Sequence, residues 1–98
     1  MEIIHSPRQS GKTTKLIEKA HNGRYKIIVC HSREEADRIF QVAMRMEKNI
    51  PLPITYDEYL KGNFYGKNIE SFLIDNVDMF ITYLSKGVPV EAITINTK

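Results

Sequence analysis

The sequence predicts an α/β fold, because short apolar segments alternate with helix-forming segments along the whole chain. One apolar segment, KIIVC, is almost continuously hydrophobic, which is typical of a parallel strand that helices cover on both faces. We therefore expect a mostly parallel sheet of about five strands with helices on both faces. The chain has 98 residues, and this length predicts one domain over residues 1–98.

Two strands and one helix are predicted in the first third of the chain. Residues 2–5 form a short apolar run that stops at Ser6-Pro7 and predicts the first strand. Lys12–His21 contains good helix formers and ends at Asn22-Gly23, which predicts the first helix. Lys26–Cys30 is rich in β-branched residues and predicts the second strand.

Two segments with the spacing of a capping box predict the next two helices. Ser32 and Glu35 stand at the start of a helix predicted over residues 33–46. Its apolar residues recur at helical spacing, at Ala36, Ile39, Phe40 and Ala43. Thr55 and Glu58 have the same capping-box spacing and predict a short third helix, and Ile54 is the one trace of a third strand.

The last third of the chain predicts a strand, a helix and a final strand. Residues 71–74 contain the apolar run FLI and lead into Asp75, which predicts a strand. Residues 79–85 predict a helix closed by Gly87 with Pro89 just beyond. Residues 90–95 are rich in β-branched side chains and predict the last strand. This alternation gives βαβ units, whose crossovers are nearly always right-handed.

A phosphate-binding motif lies between the first strand and the first helix. Residues 6–14 match G-x-x-x-x-G-K-[ST] at every defined position except the first, where serine replaces glycine. In such a motif, main-chain N–H groups and a helix N-terminus bind phosphate, and glycine lets the backbone approach it closely. The lysine reaches the outer phosphates, and the threonine hydroxyl can coordinate Mg²⁺. We therefore predict that nucleotide contacts Ser6, Pro7, Arg8, Gln9, Ser10, Gly11, Lys12, Thr13 and Thr14.

The alternative is a chance Gly-Lys-Thr-Thr string in a capped loop, but the strand, loop and helix around the motif favour phosphate binding. The sequence of residues 7–14, PRQSGKTT, resembles the first motif of P-loop NTPases of the RecA-like, additional-strand type, especially viral large terminases and superfamily 2 helicases. In those families the first glycine is often replaced. The resemblance implies a minimal three-layer RecA-like fold that binds ATP or another NTP with Mg²⁺, and a phage-encoded protein associated with DNA transactions.

A second acidic motif follows the strand at residues 71–74. The string FLID resembles the Walker B element, whose aspartate binds Mg²⁺ directly or through water. The resemblance therefore implies that Asp75 and Thr13 hold Mg²⁺ and that Lys12 and Asp75 belong to the catalytic set. The alternative is that Asp75 or Asp78 serves only as the N-cap of the next helix.

Asn76 stands where the resembled families usually place a catalytic glutamate. An amide can bond a water molecule but cannot accept its proton, and loss of a general base costs on the order of 10²- to 10⁴-fold in rate. Asp78 is a poor substitute, because two further helical residues turn its carboxylate roughly 200° around the axis. We therefore expect hydrolysis that is weak or depends on a partner, with Asn76 positioning water poorly.

Composition limits the partners and the compartment. Fourteen Lys and Arg against twelve Asp and Glu leave a formal charge of +2, which is too small to indicate nucleic-acid binding by itself, although DNA stays a possible partner. One cysteine excludes an intrachain disulfide framework. No apolar run has the roughly 20 residues of a membrane span. We therefore expect no membrane association and a cytoplasmic location, in the host cytoplasm if the protein is phage-encoded.

The resemblance also predicts what this chain needs from elsewhere. Because no second RecA-like domain follows, an arginine finger would come from a neighbouring subunit of a homo-oligomer or from another protein. Five residues precede Ser6, which leaves no room for an upstream adenine-recognising segment and leaves the base open. Asn96 or Thr97 at the end of the last predicted strand is a candidate γ-phosphate sensor, and a frayed terminus is the equal alternative.

Three further groups have a functional and a structural interpretation. His5 with Cys30-His31 could suggest a metal site, but histidines with ordinary hydrogen bonds are the favoured interpretation. The aromatic loop at residues 63–67 could stack on bases, dock on a protein, or pack over the sheet edge. Arg38 and Arg45 share a helix face, which its interspersed acidic residues predict to be a solvated mixed-charge face.

Three functions are compatible with these motifs. The first is an NTP-binding P-loop protein with weak hydrolysis, and the second is a non-catalytic nucleotide-binding regulator that engages a protein. The third is a nucleoside kinase, since thymidine kinases have a similar Ser-Gly-Lys-Thr-Thr string. That family adds a zinc-bound lasso over the nucleoside, and a chain with one cysteine has no residues for it.

Overall fold

The computed structural model describes residues 1–5, 11–62, 64 and 68–96. Within these residues the chain forms four helices and three strands, in an α/β order that confirms the predicted fold class. The elements are α1 Lys12–His21, β1 Lys26–Cys30, α2 Arg33–Arg45, β2 Ile54–Thr55, α3 Tyr56–Lys61, β3 Ser71–Ile74 and α4 Val77–Leu84.

The three strands form a parallel sheet in the order β2-β1-β3. Val29 is in register with Ile54 of β2 on one side and with Ile74 of β3 on the other. The central strand β1 is buried from Ile27 to Cys30, which is why its sequence is hydrophobic without alternation. The parallel pairing predicted from that pattern is therefore confirmed.

Helices cover both faces of β1. Ile28 and Cys30 face α1 and α2, in a core completed by Leu16, Ile17, Ala20, Ala36, Ile39 and Ala43. Val29 faces the other way and packs with Tyr56 of α3 and Phe80 of α4. Alternate residues of one strand thus enter two separate cores, and the described elements stack in three layers.

The two terminal strands of the prediction are wrong, so the described sheet has three strands rather than five. Residues 2–5 are irregular, and Ile4 packs against the α1–α2 core without joining the sheet. Residues 90–95 are also irregular, and Val90 and Ile93 are 41% and 54% exposed. β-Branched residues favour a strand only where they pair and pack against neighbours, and this segment does neither among the described residues.

Helix termini follow local capping chemistry. Thr55 and Glu58 form the complete capping box predicted for α3. The box predicted for α2 is half formed, since the Ser32 hydroxyl accepts from the Glu35 N–H at 3.1 Å while the Glu35 carboxylate bonds elsewhere. α4 begins two residues before the predicted start because Asn76 adopts a left-handed conformation that begins the helix directly.

None of the helices in the described part of the chain is long and apolar enough to cross a membrane.

Candidate functional site

The candidate site lies at the carboxyl edge of the parallel sheet. β1 and β3 run side by side, so His31 after β1 and Asp75 after β3 emerge at the same edge. α2 and α4 begin just beyond that edge, and a hydrogen bond from Lys12 brings the start of α1 to it. Open α/β sheets bind ligands at this edge, where strand ends and helix N-termini meet.

Lys12 and Asn76 make the contact that joins the two predicted motifs. The Lys12 ammonium donates to Asn76 Oδ1 at 2.9 Å, across 64 residues of sequence. Asn76 Nδ2 in turn donates to Asp75 Oδ2 at 3.4 Å. The lysine of the first motif and both polar residues of the second therefore belong to one hydrogen-bonded chain.

The N-terminus of α1 keeps its backbone donors uncapped by side chains. Its N-cap is Gly11, which has φ 89° and no side-chain cap, and the first turn contains no acidic residue. A left-handed N-cap favours glycine for conformational reasons, although a Cβ here would meet no atom of the described residues within 4 Å. Thr14 is exposed in the first turn, while residues 6–10 of the predicted phosphate loop lie outside the described residues.

Asp75 is a buried carboxylate, with 5% of its surface exposed. Burial raises its pKa and the nearby Glu35 carboxylate raises it further, while Lys12 and Arg38 act in the opposite direction. Among the described residues its carboxylate accepts one side-chain hydrogen bond, the long one from Asn76. Asp75 is thus positioned in the fold with most of its acceptor capacity unused by that part of the chain.

Tyr56 holds the turn that carries Asp75 and Asn76. The tyrosine is 1% exposed, and its hydroxyl donates to the carbonyl oxygens of Asp75 at 2.7 Å and Asn76 at 3.0 Å. Burial raises the pKa of the Tyr56 phenol, so the hydroxyl stays a donor. The turn needs this support, because Asn76 has φ 58° and ψ 66°, a region that few residues other than glycine and asparagine adopt readily.

Arg38 lies on the exposed, mixed-charge face of α2 that the sequence predicted, and it also reaches the candidate site. Its Nη2 lies 3.4 Å from the Thr13 hydroxyl oxygen, which connects α2 to the first motif. Arg38 is also paired with Glu35, through Nε at 2.9 Å and Nη2 at 2.5 Å. The i, i+3 spacing of Glu35 and Arg38 was visible in the sequence, but nothing in it showed that α2 packs beside α1.

Other predicted site residues lie apart from this cluster or outside the described chain. Asn96 is exposed in an irregular segment, so the strand that was to carry a γ-phosphate sensor is absent there, and Thr97 is outside the described residues. Asp78 is exposed in the first turn of α4. His5 does not end a strand, because residues 2–5 form none.

The aromatic loop is described only at Phe64. Its ring lies 5.3 Å from that of Phe72 in a T-shaped contact and 6.4 Å from that of Tyr59 in a stacked one. Phe64 therefore packs over the β3 side of the sheet, as one of the three interpretations of the loop predicted. Asn63, Tyr65, Gly66 and Lys67 lie outside the described residues.

The oxygen atoms of the site fit a hard divalent cation only with help from a ligand. No group of three His, Cys, Asp or Glu side chains suited to a metal occurs in the part of the chain that the structure describes. A buried carboxylate and a threonine hydroxyl are the kind of oxygen ligands that Mg²⁺ accepts, when phosphate oxygens and water supply the other positions. Asp75 and Thr13 provide oxygen ligands of these two kinds.

No protein-family model matches the chain, and neither a curated protein nor a solved structure resembles it significantly. A cationic helix start, an uncapped helix terminus and a buried carboxylate at one sheet edge can bind an anion with its counter-cation.

Proposed function

We propose that the protein binds ATP or another nucleoside triphosphate together with Mg²⁺ at the carboxyl edge of its sheet. The observation that carries this proposal is the 2.9 Å hydrogen bond from the Lys12 ammonium to Asn76, beside the buried Asp75. A lysine at a helix start and an aspartate at a strand end, brought to one place from two motifs, are the parts that a P-loop NTPase needs.

The phosphates would bind at the start of α1. The first N–H groups of α1 receive no bond from an N-cap side chain, because the N-cap is Gly11, and Lys12 lies beside them with a flexible side chain. Among the described residues the Lys12 ammonium bonds to a neutral amide, Asn76 Oδ1, rather than to a carboxylate. A phosphate oxygen is a stronger acceptor for an ammonium than an amide, so Lys12 can exchange partners at low cost.

The cation would bind between Thr13 and Asp75. Both residues lie near the carboxyl edge of the sheet. Arg38, which contacts Thr13, also lowers the pKa of Asp75 electrostatically. A divalent cation placed there would offset the cost of burying the ionised Asp75 carboxylate. When bound, Mg²⁺ supplies charge neutralisation for the outer phosphates.

Hydrolysis by the isolated chain would be slow. Asn76 has no basic group to take a proton from water, and Asp78 is exposed on the outer surface of α4. The three-layer packing and the parallel β1–β3 pair support a RecA-like core for this proposal. The likeness to terminases and helicases suggests phage origin and a DNA-handling partner or second copy that completes turnover in the cytoplasm.

A second function, a nucleotide-binding regulator without turnover, is favoured by one observation. The residue that Lys12 bonds is an amide, Asn76, at the position where the families that the motifs resemble usually have a catalytic glutamate. In that case the nucleotide serves as a ligand that stabilises the folded state and orders the phosphate loop.

Calorimetric titration with ATP tests the proposal, run once with excess MgCl₂ and once with EDTA. We expect tighter binding with Mg²⁺ for the parent protein, and loss of that Mg²⁺ dependence in Asp75→Asn, because the amide cannot offer an anionic oxygen. Absence of ATP binding to the parent under both conditions would overturn the proposal. Phosphate release measured on the same samples separates slow hydrolysis from regulation, with and without added DNA.

A further inference from the structure

We infer that Arg38 binds the terminal phosphate of the nucleotide from within the same chain, with Glu35 as its positioning residue. This inference rests on the proposed nucleotide site, and it assigns to α2 a role that the two sequence motifs do not contain. It also changes the expected requirement for a partner, because an arginine near the outer phosphates is then already present.

The Arg38 side chain lies beside the first residues of α1. Its Nη2 lies 3.4 Å from the hydroxyl oxygen of Thr13, the residue that would ligate Mg²⁺. A Mg²⁺ ion held by Thr13 and Asp75 would neutralise charge on the outer phosphates. A guanidinium that approaches across Thr13 therefore arrives beside the outer end of the phosphate chain rather than beside the nucleoside.

The Thr13 hydroxyl oxygen cannot bind a metal cation and the Arg38 guanidinium equally well at the same time. When its lone pairs coordinate a cation, the oxygen becomes a poorer acceptor for a guanidinium N–H. Repulsion from a cation bound there would also move the Arg38 guanidinium away from it. The anionic oxygens nearest to that position would be those of the terminal phosphate, and arginine binds phosphate well because its fork of donors matches the geometry.

Glu35 fixes the direction of this fork. At the start of α3, Glu58 folds back to accept from the Thr55 N–H at 2.9 Å, as a capping box requires. Glu35 has the equivalent place at the start of α2, yet its carboxylate pairs with Arg38 through Nε and Nη2. Among the described residues Arg38 Nη1 makes no hydrogen bond, so that part of the chain holds one arm of the guanidinium and leaves the other unused.

The charges around the site agree with a ligand rather than a purely structural pair. The Glu35–Arg38 ion pair is short, but the arginine side chain is 52% exposed, and exposed pairs of this kind stabilise a fold little. Arg38 nevertheless reaches the Thr13 hydroxyl oxygen at 3.4 Å, while Lys12 bonds Asn76 beside the buried Asp75. Two cations thus converge on the place where a phosphate and its metal would bind.

The test compares ATP and ADP affinity in the presence of excess MgCl₂ by calorimetric titration. Arg38→Ala should weaken ATP binding roughly 10- to 100-fold, since hydrogen bonds to charged groups are worth that much, and should change ADP affinity less than threefold. Arg45→Ala is the matched control, because Arg45 lies exposed in the last turn of the same helix. Arg38→Gln, which keeps most of the side-chain length, is measured in case the alanine variant does not fold.

Two further variants separate positioning from contact. Arg38→Lys keeps the charge but loses the fork, and should recover part of the ATP preference. Glu35→Gln keeps the shape of the side chain but weakens its hold on Arg38, and should lower the preference for ATP over ADP in the same direction as Arg38→Ala.

The outcomes distinguish this inference from the proposed function. If the parent binds both nucleotides and the Arg38 variants lose ATP and ADP affinity equally, or lose neither, the arginine does not read the terminal phosphate and the inference fails alone. If the parent binds neither nucleotide, the proposed site fails and the inference fails with it.

Discussion

At the scale of single residues, position 76 shows how a backbone requirement and a chemical requirement compete. The residue there has φ 58° and ψ 66° and begins α4, and asparagine is among the few side chains that tolerate this conformation at small cost. A glutamate would be strained there by roughly 1 kcal/mol. Asn76 is therefore explained by the turn, whatever its effect on turnover.

The variant Asn76→Glu tests whether the missing carboxylate limits hydrolysis. We expect phosphate release to rise by about 10²-fold or more, because the variant gains a group that accepts a proton from water. The midpoint of thermal unfolding should fall slightly because of the left-handed backbone. Asn76→Asp is the control for charge, since it tolerates the same conformation with a shorter reach. If ATP still binds and phosphate release does not rise, the absent base is not what limits turnover.

Much of the candidate site could be predicted from the sequence, because its motifs are local. Gly11, Lys12 and Asp75 were recognisable from their spacing and from the elements around them. Arg38 and Tyr56 were not, since their roles depend on contacts across 25 residues to Thr13 and across 19 residues to Asp75. Such contacts follow from how helices pack on the sheet, which single-residue patterns do not specify.

At the scale of elements, short-range chemistry fixed most boundaries. α1, β1 and β3 have the predicted limits because a glycine begins the helix and apolar runs end sharply at polar residues. The segments 2–5 and 90–95 have similar composition but form no strand. Whether a β-branched segment becomes a strand depends on a neighbouring strand edge to pair with, and the presence of that edge is decided by the tertiary fold. β3 consequently has one paired side within the described sheet.

Tyr56 links α3 to the turn after β3, and Tyr56→Phe tests that link. Loss of the hydroxyl leaves the carbonyl oxygens of Asp75 and Asn76 without their shared donor. We expect the free energy of unfolding to fall by about 1–3 kcal/mol and the affinity for ATP with Mg²⁺ to weaken, as measured by urea titration and calorimetry. Tyr83→Phe is the control, because its hydroxyl donates to the exposed Asp57. Equal effects of both variants would show that the buried hydroxyl has no special role.

At the scale of the whole molecule, carboxylates determine how stability depends on pH. The pKa values of Glu35 and Glu58 are lowered, the first by hydrogen bonding to Arg38 and the second by the backbone N–H of Thr55. The pKa values of Glu2, Asp57 and Glu70 are also lowered. The pKa of Asp75 is raised, chiefly by burial. Most acidic groups with a shift are thus more acidic in the fold than in the unfolded chain.

Acidification should therefore destabilise the protein. A carboxyl group with a lowered pKa contributes stability that is present above its unfolded pKa of about 4 and is lost as the pH falls through the folded value. The contribution of Asp75 to the free energy of unfolding changes with pH in the opposite direction, because protonation of its raised-pKa carboxyl group removes the cost of a buried charge. We expect the free energy of unfolding, from urea titrations, to decrease from pH about 5 to about 2.5, and to decrease less in Glu58→Gln. A rise over that interval would mean that Asp75 dominates.

The central claim is that an anion binds at the start of α1 under the control of one lysine, and the most direct measurement is the calorimetric affinity of Lys12→Ala for ATP with Mg²⁺. Lys15→Ala is the matched control, because Lys15 lies exposed on the same helix and its loss removes the same charge. We predict that Lys12→Ala loses roughly tenfold or more in affinity, while Lys15→Ala keeps the parent value. Equal affinities of Lys12→Ala and the parent, or no binding by either, would contradict the account.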